Sequence, residues 1–283
     1  MRRVGVGLAL ITLLVGASPA SASVTAAQPG DHTVTNGPIS ITVPIGATLQ
    51  RGTVTNLEDY CGLGPPAVWT GATGTVAWSA HSTAGTIVDY DIYQNTSENG
   101  PTYWYTATVP MLTDLVGNYD GSCGGGGDNY GWTIVARDSS GNTVTASVNG
   151  YLNVDRYNNY NVNFSPRGTW SYTGSWAVST CLCADGGAQT YTSAKGASAS
   201  YTMTATVGMH FALMMAEGPG RGSFKIYQDG VLKGTVNTHA STNLNRMLVW
   251  TSTGLTAGPH VFKVVNLASS GHARIDVNAA LSD

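Results

Sequence analysis

Residues 217–236 read EGPGRGSFKIYQDGVLKGTV and predict a β-hairpin. Apolar and polar side chains alternate over 224–228, Asp229-Gly230 follows, and a second extended run covers 231–236. An Asp-Gly pair between two such runs favours a two-residue type I′ turn, because both central residues of that turn need a positive φ angle. The C-terminal half is therefore expected to be an all-β module.

The rest of the chain has the same character. Gly, Ser, Thr and Asn recur roughly every eight to twelve residues without helical periodicity, as in β-sandwiches and barrels. Trp78 is expected to pack between two sheets. Candidate strands cover 39–43, 75–79, 87–94, 103–109, 130–137 and 143–154, then 169–172, 189–192, 197–207, 210–216, 223–228, 231–236, 246–251, 260–266 and 273–281. In the last strand, we expect one inward row formed by Ile275, Val277, Ala279 and Leu281.

The N-terminus has the pattern of a secretory signal peptide. A short basic segment (1–3) precedes an apolar stretch (4–15) and a small-residue cleavage site at 20–22. Residues 1–22 are therefore predicted to be removed, leaving a flexible N-terminus at 23–34. No later run is long and apolar enough for a transmembrane helix. We expect a secreted, extracellular protein without membrane insertion.

Charge argues against nucleic acid as a partner. Without Arg2 and Arg3, the basic residues fall from 13 to 11 against 16 acidic ones, so the mature net charge becomes −5. No basic patch interleaved with aromatic residues occurs. Only 10% of the residues are charged, so the surface is expected to be rich in Ser, Thr, Asn, Gly and Tyr.

The four cysteines are expected to be oxidised in a secreted protein. Three connectivities are open; we favour Cys61–Cys123 in the first half and Cys181–Cys183 in the second. The second bridge would close a small, strained ring that staples a loop. A redox-active or metal-binding pair is the alternative there, but no nearby His or Lys would lower a thiol pKa.

The first half resembles a known type of sandwich. WSA (78–80), IVDYDIYQ (87–94) and WTIVARDSSGNT (132–143) resemble a fibronectin type III or related immunoglobulin-like domain over about 35–155. The resemblance implies a spacer domain. Cys61 and Cys123 lie outside the ordinary pattern, as an added clamp on two loops.

The second half resembles a β-sandwich domain that recurs in secreted proteins of actinobacteria. That domain is similar to the galactose-binding-type jelly roll, which houses many carbohydrate-binding modules. The resemblance implies a jelly roll over 164–283, preceded by a linker at 156–163. It implies no defined activity. It rests on GTW (168–170), GAQTYTSAKGASASYTM (187–203), GPGRG (218–222), IYQDGVLKGTV (226–236), GLTAGPHVFKVV (254–265) and RIDVNAAL (274–281).

Catalytic motifs are missing from the sequence. There is no G-x-S-x-G, H-E-x-x-H, P-loop or dinucleotide fingerprint. Only Glu58, Glu98 and Glu217 are glutamates, and most aspartates lie in turns. The six histidines are scattered, and none lies at ligand spacing from a carboxylate or cysteine, which argues against a zinc site.

Aromatic residues are the remaining candidates for a ligand site, because sugars stack on flat rings while polar side chains bind their hydroxyls. Trp170, Tyr172, Trp176 and Tyr191 are predicted to bind ligand. The alternative is that the two tryptophans close one end of the core. Arg221 is predicted either to meet an acidic sugar or to anchor the hairpin loop.

Two further features complete the candidate sites. Asp276 is a candidate calcium ligand, because jelly-roll sugar-binding modules often hold calcium near that position. The alternative is an ion pair with Arg274 or Arg221. A strand alternates its faces, so at least one of the consecutive aromatic residues 103–105 must point outward, where it could form a contact surface.

These observations favour a secreted, non-catalytic binding module for a polysaccharide or cell-envelope glycan. No cofactor is expected apart from the candidate calcium. The main alternative is a structural or adhesive module whose partner is a protein, without a sugar site. A hydrolase using the aspartates is the weaker alternative.

Overall fold

The computed structural model describes residues 30–53, 55–59, 67–96, 100–120, 131–150, 153–156, 168–180, 184 and 188–282. Within these ranges the regular structure consists of strands alone, which confirms the all-β prediction. No helix long and apolar enough to cross a membrane occurs in this part of the chain. The predicted signal peptide and all four cysteines, with both predicted disulfides, lie outside the described residues.

The described residues of the first half form thirteen strands. They are β1 (His32–Asn36), β2 (Ile39–Val43), β3 (Thr48–Leu49), β4 (Gly52–Thr53), β5 (Thr55–Asp59), β6 (Ala67–Ala77), β7 (Ser79–Ser82), β8 (Ile87–Thr96), β9 (Gly100–Ala107), β10 (Met111–Asp120), β11 (Gly131–Asp138), β12 (Thr143–Asn149) and β13 (Asn153–Arg156). Part of the segment predicted to be a flexible N-terminus thus lies in β1.

In the second half, the part of the chain that the structure describes forms ten strands. They are β14 (Gly168–Thr173), β15 (Ala177–Thr180), β16 (Ala188–Thr192), β17 (Ser198–Ala205), β18 (Phe211–Glu217), β19 (Ser223–Gln228), β20 (Val231–Asn237), β21 (Leu244–Thr251), β22 (Gly258–Asn266) and β23 (Ile275–Ser282).

These described strands form five sheets in a sandwich-like arrangement. Three sheets come from the first half alone: β1-β2-β7, then β10-β6-β3 with β5 beside β6, and then β12-β11-β8-β9. We call the last of these the tyrosine sheet. The C-terminal sheet has the order β14-β17-β22-β19-β20. The central sheet has the order β15-β16-β23-β18-β21-β4, with β13 beside β23.

The hairpin at 223–237 has the predicted turn. Asp229 and Gly230 have φ angles of 53° and 79°, so both central residues adopt the positive φ that a type I′ turn requires. Gln228 pairs directly with Val231 across the turn. The Asp229 carboxylate also accepts a hydrogen bond from the backbone N–H of Val261 at 2.8 Å, which fastens the turn to the neighbouring strand β22.

The central sheet is shared by both halves of the chain. Every residue of β18 and of β23 is buried, because each face of the sheet is covered. Met214 and Leu281 belong to a hydrophobic cluster with first-half residues such as Trp132. Leu213 and Val277 belong to a second cluster that fills the space below the C-terminal sheet. The central sheet therefore contributes buried side chains to both hydrophobic clusters.

The last strand differs from the prediction of a single inward row. Val277 pairs with Met215 and Ala279 pairs with Met214, so Asn278 is an extra residue in a β-bulge. A bulge reverses the alternation of side chains beyond it. Ile275 and Val277 consequently face the second cluster, whereas Ala279 and Leu281 face the first. The predicted common row was wrong, because strict alternation across eight residues was assumed.

Contacts across the predicted domain boundary are extensive. Strand β4 pairs with β21, and β13 pairs with β23. The Arg51 guanidinium lies 2.7 Å from a carboxylate oxygen of Glu217, which joins the two halves. Arg156, the first residue of the predicted linker, ends β13, and the rest of that linker lies outside the described residues. The two-domain division itself stays a prediction.

The A-R-D-x-x-G-N segment of the first half forms a tight turn around Asp138. The carboxylate accepts hydrogen bonds from the backbone N–H groups of Ser140 and Asn142 and from the Ser82 hydroxyl at 2.6 Å. The Ser82 bond lowers the pKa of Asp138, and the Asn142 and Ser140 bonds add to this effect against the opposing influence of burial. The A-R-D-x-x-G-N motif therefore serves to form this turn.

Candidate functional site

The predicted aromatic patch lies at the edge of the C-terminal sheet. Trp170 and Tyr172 alternate with exposed residues on the edge strand β14 and are half-buried against the second cluster. Their rings stack at 6.2 Å, and Tyr172 packs edge-on against Trp176 at 5.1 Å. Trp176 donates its indole N–H to the Thr173 carbonyl oxygen at 3.1 Å. The patch closes one end of the core, as in the alternative left open by the sequence.

Arg221 and Asp276 belong to a buried network on the central sheet. Asp276 is fully buried and accepts hydrogen bonds from Arg221 Nε at 3.0 Å, Arg274 Nε at 2.8 Å and Gln189 Nε2 at 3.1 Å. The backbone of Tyr191 on β16 pairs with that of Asp276 on β23. The Arg274 guanidinium lies over the Tyr191 ring, 3.9 Å from its centre. Three of the predicted site residues thus contact one another or a shared partner in a structural cluster.

This network bears directly on the candidate calcium site. Both carboxylate oxygens of Asp276 already accept hydrogen bonds from guanidinium groups. A calcium ion needs several oxygen ligands and would have to displace both cations. Asp276 therefore makes the ion pair that was the alternative to calcium. In the part of the chain that the structure describes, no three His, Cys, Asp or Glu side chains form a group suited to a metal ion.

A different surface presents exposed aromatic rings. In the tyrosine sheet, Ile92 pairs with Tyr105 and Tyr93 pairs with Tyr103, so Trp104 is an extra residue in a β-bulge. Ile92 is fully buried, and Tyr105 on the same side packs against the first cluster. The bulge therefore turns Tyr103 to the opposite, outward face, where its side chain is 55% exposed. Its ring meets that of Tyr93 edge-on at 5.7 Å.

Hydrogen bonds hold Tyr103 in place on this face. Thr106 donates its hydroxyl hydrogen to Asp91 at 2.6 Å. Since a threonine hydroxyl has one hydrogen, Thr106 accepts the 2.9 Å hydrogen bond from the Tyr103 hydroxyl. Asp91 also accepts a hydrogen bond from Arg137 at 2.7 Å. The chain of contacts fixes the phenol without burying its ring.

Uncharged polar groups continue the same face. Asn95 on β8 lies within 3.1 Å of the Thr133 hydroxyl on β11, and that hydroxyl lies 3.3 Å from Ser147 on β12. Asn95 and Ser147 also line a shallow cleft of about 410 Å³, together with His32, Ile45, Gly131, Val148 and Asn149. We call the surface formed by Tyr93, Tyr103, Asn95, Thr133 and Ser147 the tyrosine face.

The edge strand β9 adds a second exposed ring beside this face. Trp104 is 42% exposed and contacts Tyr105 edge-on at 5.0 Å. Burial raises the pKa of Tyr105, and the negative charge of Asp114 raises it further, so this phenol stays neutral. The expectation that at least one of residues 103–105 points outward is confirmed, and Tyr103 and Trp104 are the exposed ones.

Sequence reasoning identified the aromatic run at 103–105 but missed the surface around it. Side chains alternate between the two faces of a strand, so knowledge that β8 pairs with β11 would have placed Tyr93, Asn95 and Thr133 on one face. The pairing with β9 could not be anticipated, because the bulge at Trp104 decides which aromatic residue faces outward.

Several carboxylates of the described residues are engaged in structural contacts. Glu217 pairs with Arg51, Asp91 with Arg137, Asp229 with His260, and Asp276 with Arg221. In addition, Asp138 accepts the hydrogen bonds of its own turn.

The chain matches no family model and no curated protein. The resemblances to fibronectin type III-like and actinobacterial sandwich domains therefore remain expectations. Among solved structures, it is similar to the CBM36-1 domain of a multidomain xylanase from the hindgut metagenome of Trinervitermes trinervoides. That similarity has 12% identity and a TM-score of 0.33, and it covers 47% of this chain and 96% of that domain.

Two glycoside hydrolase structures are also similar. The exo-β-1,3-galactanase of Phanerochaete chrysosporium, solved with galactose, has 8% identity and a TM-score of 0.33, over 87% of this chain and 75% of that one. The catalytic domain of a GH87 α-1,3-glucanase in complex with nigerose has 14% identity and a TM-score of 0.30. There the similarity covers 47% of this chain and 28% of that domain. Similarities this weak assign neither a family nor a function.

Proposed function

We propose that the protein is a secreted, non-catalytic module that binds a polysaccharide or cell-envelope glycan through the tyrosine face. The observation that carries this proposal is the pair Tyr93 and Tyr103, which lies on an open sheet surface with Tyr103 55% exposed. Exposed rings offer the flat apolar surface against which the C–H groups of a sugar stack. The hydrogen bond from the Tyr103 hydroxyl to Thr106 keeps that ring in one orientation before any ligand arrives.

The neighbours of these rings suit a neutral glycan. Asn95, Thr133 and Ser147 supply amide and hydroxyl groups that can both donate and accept hydrogen bonds, as sugar hydroxyls do. Arg137 is 2.7 Å from Asp91, and this pair leaves little free positive charge for an acidic polymer. The shallow cleft beside Asn95 and Ser147 extends the surface beyond the tyrosine pair. An extended chain of uncharged sugars fits this surface best.

The aromatic patch at Trp170, Tyr172 and Trp176 is the less suitable surface. All three side chains are half-buried and pack against the second cluster, so their rings contribute to the core. Carbohydrate binding is therefore assigned to strands β8 and β9 in the first half of the chain.

A protein partner is the second candidate, and one observation favours it. Val88 on β8, and Val109 and Met111 just after the edge strand β9, are each at least 50% exposed. Exposed apolar side chains next to an edge strand are typical of a protein-contact surface. A hydrolase is the weakest candidate, because the carboxylates described above are held by cations or by a turn.

Retention of the mature protein on insoluble polysaccharides tests the proposal. We expect retention on at least one of cellulose, chitin, xylan and peptidoglycan, with reduced retention for Tyr103→Ala. Leu232→Ala is the matched control, because Leu232 is 49% exposed on the distant hairpin. If the wild-type protein is retained on none of the four polymers, the carbohydrate proposal is wrong, and the protein-contact alternative gains support.

A further inference from the structure

The charges of the chain are distributed unevenly between its two halves. Residues 23–155 contain eleven acidic and two basic residues, which gives a net charge of −9. Residues 156–283 contain five acidic and nine basic residues, which gives +4, and they include all four lysines of the chain. A cluster of these positive charges on the surface would attract a partner of opposite sign.

Three of the four lysines belong to the C-terminal sheet. Its five strands contain Lys225, Lys233 and Lys263 but no aspartate or glutamate. On β19 and β22, the residues directly before and after Lys225 and Lys263 are buried in the second cluster. Because side chains alternate along a strand, Lys225 and Lys263 both point away from that cluster, onto the outer face of the sheet.

Backbone pairing brings the three lysines close together. Tyr227 pairs with Lys263, and Lys225 pairs with Val265, so Lys225 and Lys263 are diagonal neighbours on adjacent strands. The Cβ atoms of side chains in such positions are roughly 7 Å apart. A β-bulge in the edge strand β20 adds the exposed Lys233 beside them. The fold therefore gathers three positive charges on three neighbouring strands.

No described carboxylate neutralises these charges. The ion pairs of the described residues use arginine or histidine as the cation, and no lysine takes part in one. Asp229 in the hairpin turn is engaged by His260 and by the backbone N–H of Val261. Like charges on adjacent strands repel each other, and an anionic ligand would relieve that repulsion.

Hydroxyl groups surround the lysines on the same face. Ser200 on β17 pairs with Lys263 on one side and with Ser171 on the edge strand β14 on the other. Thr202 pairs with Thr169 in the next row of the same two strands. Ser171, Thr202 and Thr169 are exposed, and Ser200 is half-buried. Such hydroxyls both donate and accept hydrogen bonds, as the hydroxyls of a sugar do.

We propose that this outer face of the C-terminal sheet, centred on Lys225 and Lys263, binds an acidic polysaccharide whose sugars carry carboxylates. The lysines meet the carboxylates as point charges, and the serine and threonine hydroxyls bind sugar hydroxyls. Among the side chains that these strands turn outward, Tyr227 is the one aromatic ring, and it is half-buried. Nucleic-acid bases would need a platform of several exposed rings on which to stack.

The face is independent of the other candidate sites. It belongs to a different sheet from the tyrosine face, so the inference does not rest on the proposed function. An acidic sugar was one predicted ligand of Arg221, but Arg221 pairs with the buried Asp276. The exposed lysines are therefore the cations that an acidic sugar can reach.

Titration calorimetry with polygalacturonate in calcium-free buffer tests the face. We expect the mature protein to bind this polymer but not its fully methyl-esterified form, which has the same chain without the charges. Lys225→Gln/Lys263→Gln should weaken binding about tenfold or more, whereas Lys225→Arg/Lys263→Arg should bind as the wild type does. Binding should also be lost at about 1 M NaCl, where charges are screened within about 3 Å. Equal binding by the glutamine variant, or no binding by the wild type, would overturn the proposal.

Further measurements distinguish the class of partner. Polyphosphate and double-stranded DNA should bind at least about tenfold more weakly than polygalacturonate, and equal or tighter binding of either would contradict a polysaccharide. A salt-sensitive dimer that Lys225→Gln/Lys263→Gln abolishes would instead place the acidic half of a second copy on this face and overturn the proposal. The same variant should keep the wild-type retention on neutral polymers, so a failure of this face is distinguishable from a failure of the tyrosine face.

Discussion

The Nδ1 atom of His260 lies 2.7 Å from the Oδ2 atom of Asp229, which places a buried imidazole against the turn of the hairpin. The other ring nitrogen lies 2.9 Å from the Thr256 carbonyl oxygen. Both neighbours only accept hydrogen bonds, so the doubly protonated imidazolium fits this position. Burial alone would lower the pKa of His260, but the hydrogen bonds to Asp229 and Thr256 and the charge of Asp229 outweigh it and raise the pKa.

This pair makes stability depend on pH. A raised folded-state pKa means that the folded protein holds the proton more tightly than the unfolded chain. The stabilisation is complete below the unfolded value of 6.5 and is lost as the pH rises through the folded pKa. Burial alone would raise the pKa of the Asp229 carboxyl, but the hydrogen bonds from Val261 and His260 and the charge of His260 outweigh it and lower the pKa. Asp229 therefore stays ionised throughout this range.

Urea unfolding of His260→Gln at several pH values checks the prediction. At pH 5.5 the variant should be less stable by about 1.5 kcal/mol, the low end for a hydrogen bond to a charged group, because Asp229 is partly exposed. The difference should shrink at pH 8.5. His81→Gln, at an exposed histidine, should show no such dependence. A difference that stays constant between the two pH values would contradict the ion pair.

The GPGRG motif requires glycine at position 222. A Cβ atom added to Gly222 would lie 1.7 Å from the backbone carbonyl oxygen of His272, a clash that only a shift of the backbone can relieve. Gly222→Ala should therefore lower the free energy of unfolding by about 3 kcal/mol or more. Gly220→Ala in the same loop meets nothing within 4 Å and should be nearly neutral. Equal thermal midpoints for the two variants would refute this account of the motif.

The buried network around Asp276 should be sensitive to loss of its charge. Asp276→Asn leaves Arg221 and Arg274 without their common carboxylate, and removal of one partner of a buried ion pair costs about 3–5 kcal/mol. Asp89→Asn, which alters a surface pair with Arg137, should cost at most about 1 kcal/mol. Chelator should leave the wild-type thermal midpoint unchanged, since Asp276 is occupied by guanidinium groups. A midpoint that falls with chelator would instead support calcium.

The shared central sheet predicts that the whole chain unfolds as one unit. Met214 and Leu281 face a core built largely from first-half residues, so separation of the halves would expose an apolar sheet face. Scanning calorimetry should show a single transition whose calorimetric and van't Hoff enthalpies agree. Two resolved transitions would support the independent domains that the sequence suggested. In that case Met214→Ala should affect only one of them.

Local patterns predicted the local structure well. The turn at Asp229-Gly230 was predicted correctly, because a type I′ turn depends only on the positive φ angles of its two central residues. Phe262 and Val264 are buried and Val261 is exposed, as alternation along β22 predicts. The pattern extending over the whole last strand failed at the bulge at Asn278, where one extra residue reverses the alternation.

Long-range organisation was harder to predict for a physical reason. A fully buried strand such as β18 has a continuous apolar sequence, FALMMA, whether it lies in the middle of one domain or between two layers. The residues that cover the second face of β18 are distant in sequence, and no local pattern identifies them. The same limit applies to Lys225 and Lys263, which only the folded sheet brings together.

Titration calorimetry with a soluble oligosaccharide of a retained polymer tests the central claim most directly. If the tyrosine face binds the glycan, Tyr103→Ala should weaken binding roughly tenfold, which corresponds to about 1.4 kcal/mol. Trp176→Phe, which keeps an aromatic ring against the core, should bind as the wild type does. Unchanged binding by Tyr103→Ala, together with a loss for Trp176→Phe, would place the glycan on the C-terminal sheet and contradict the account.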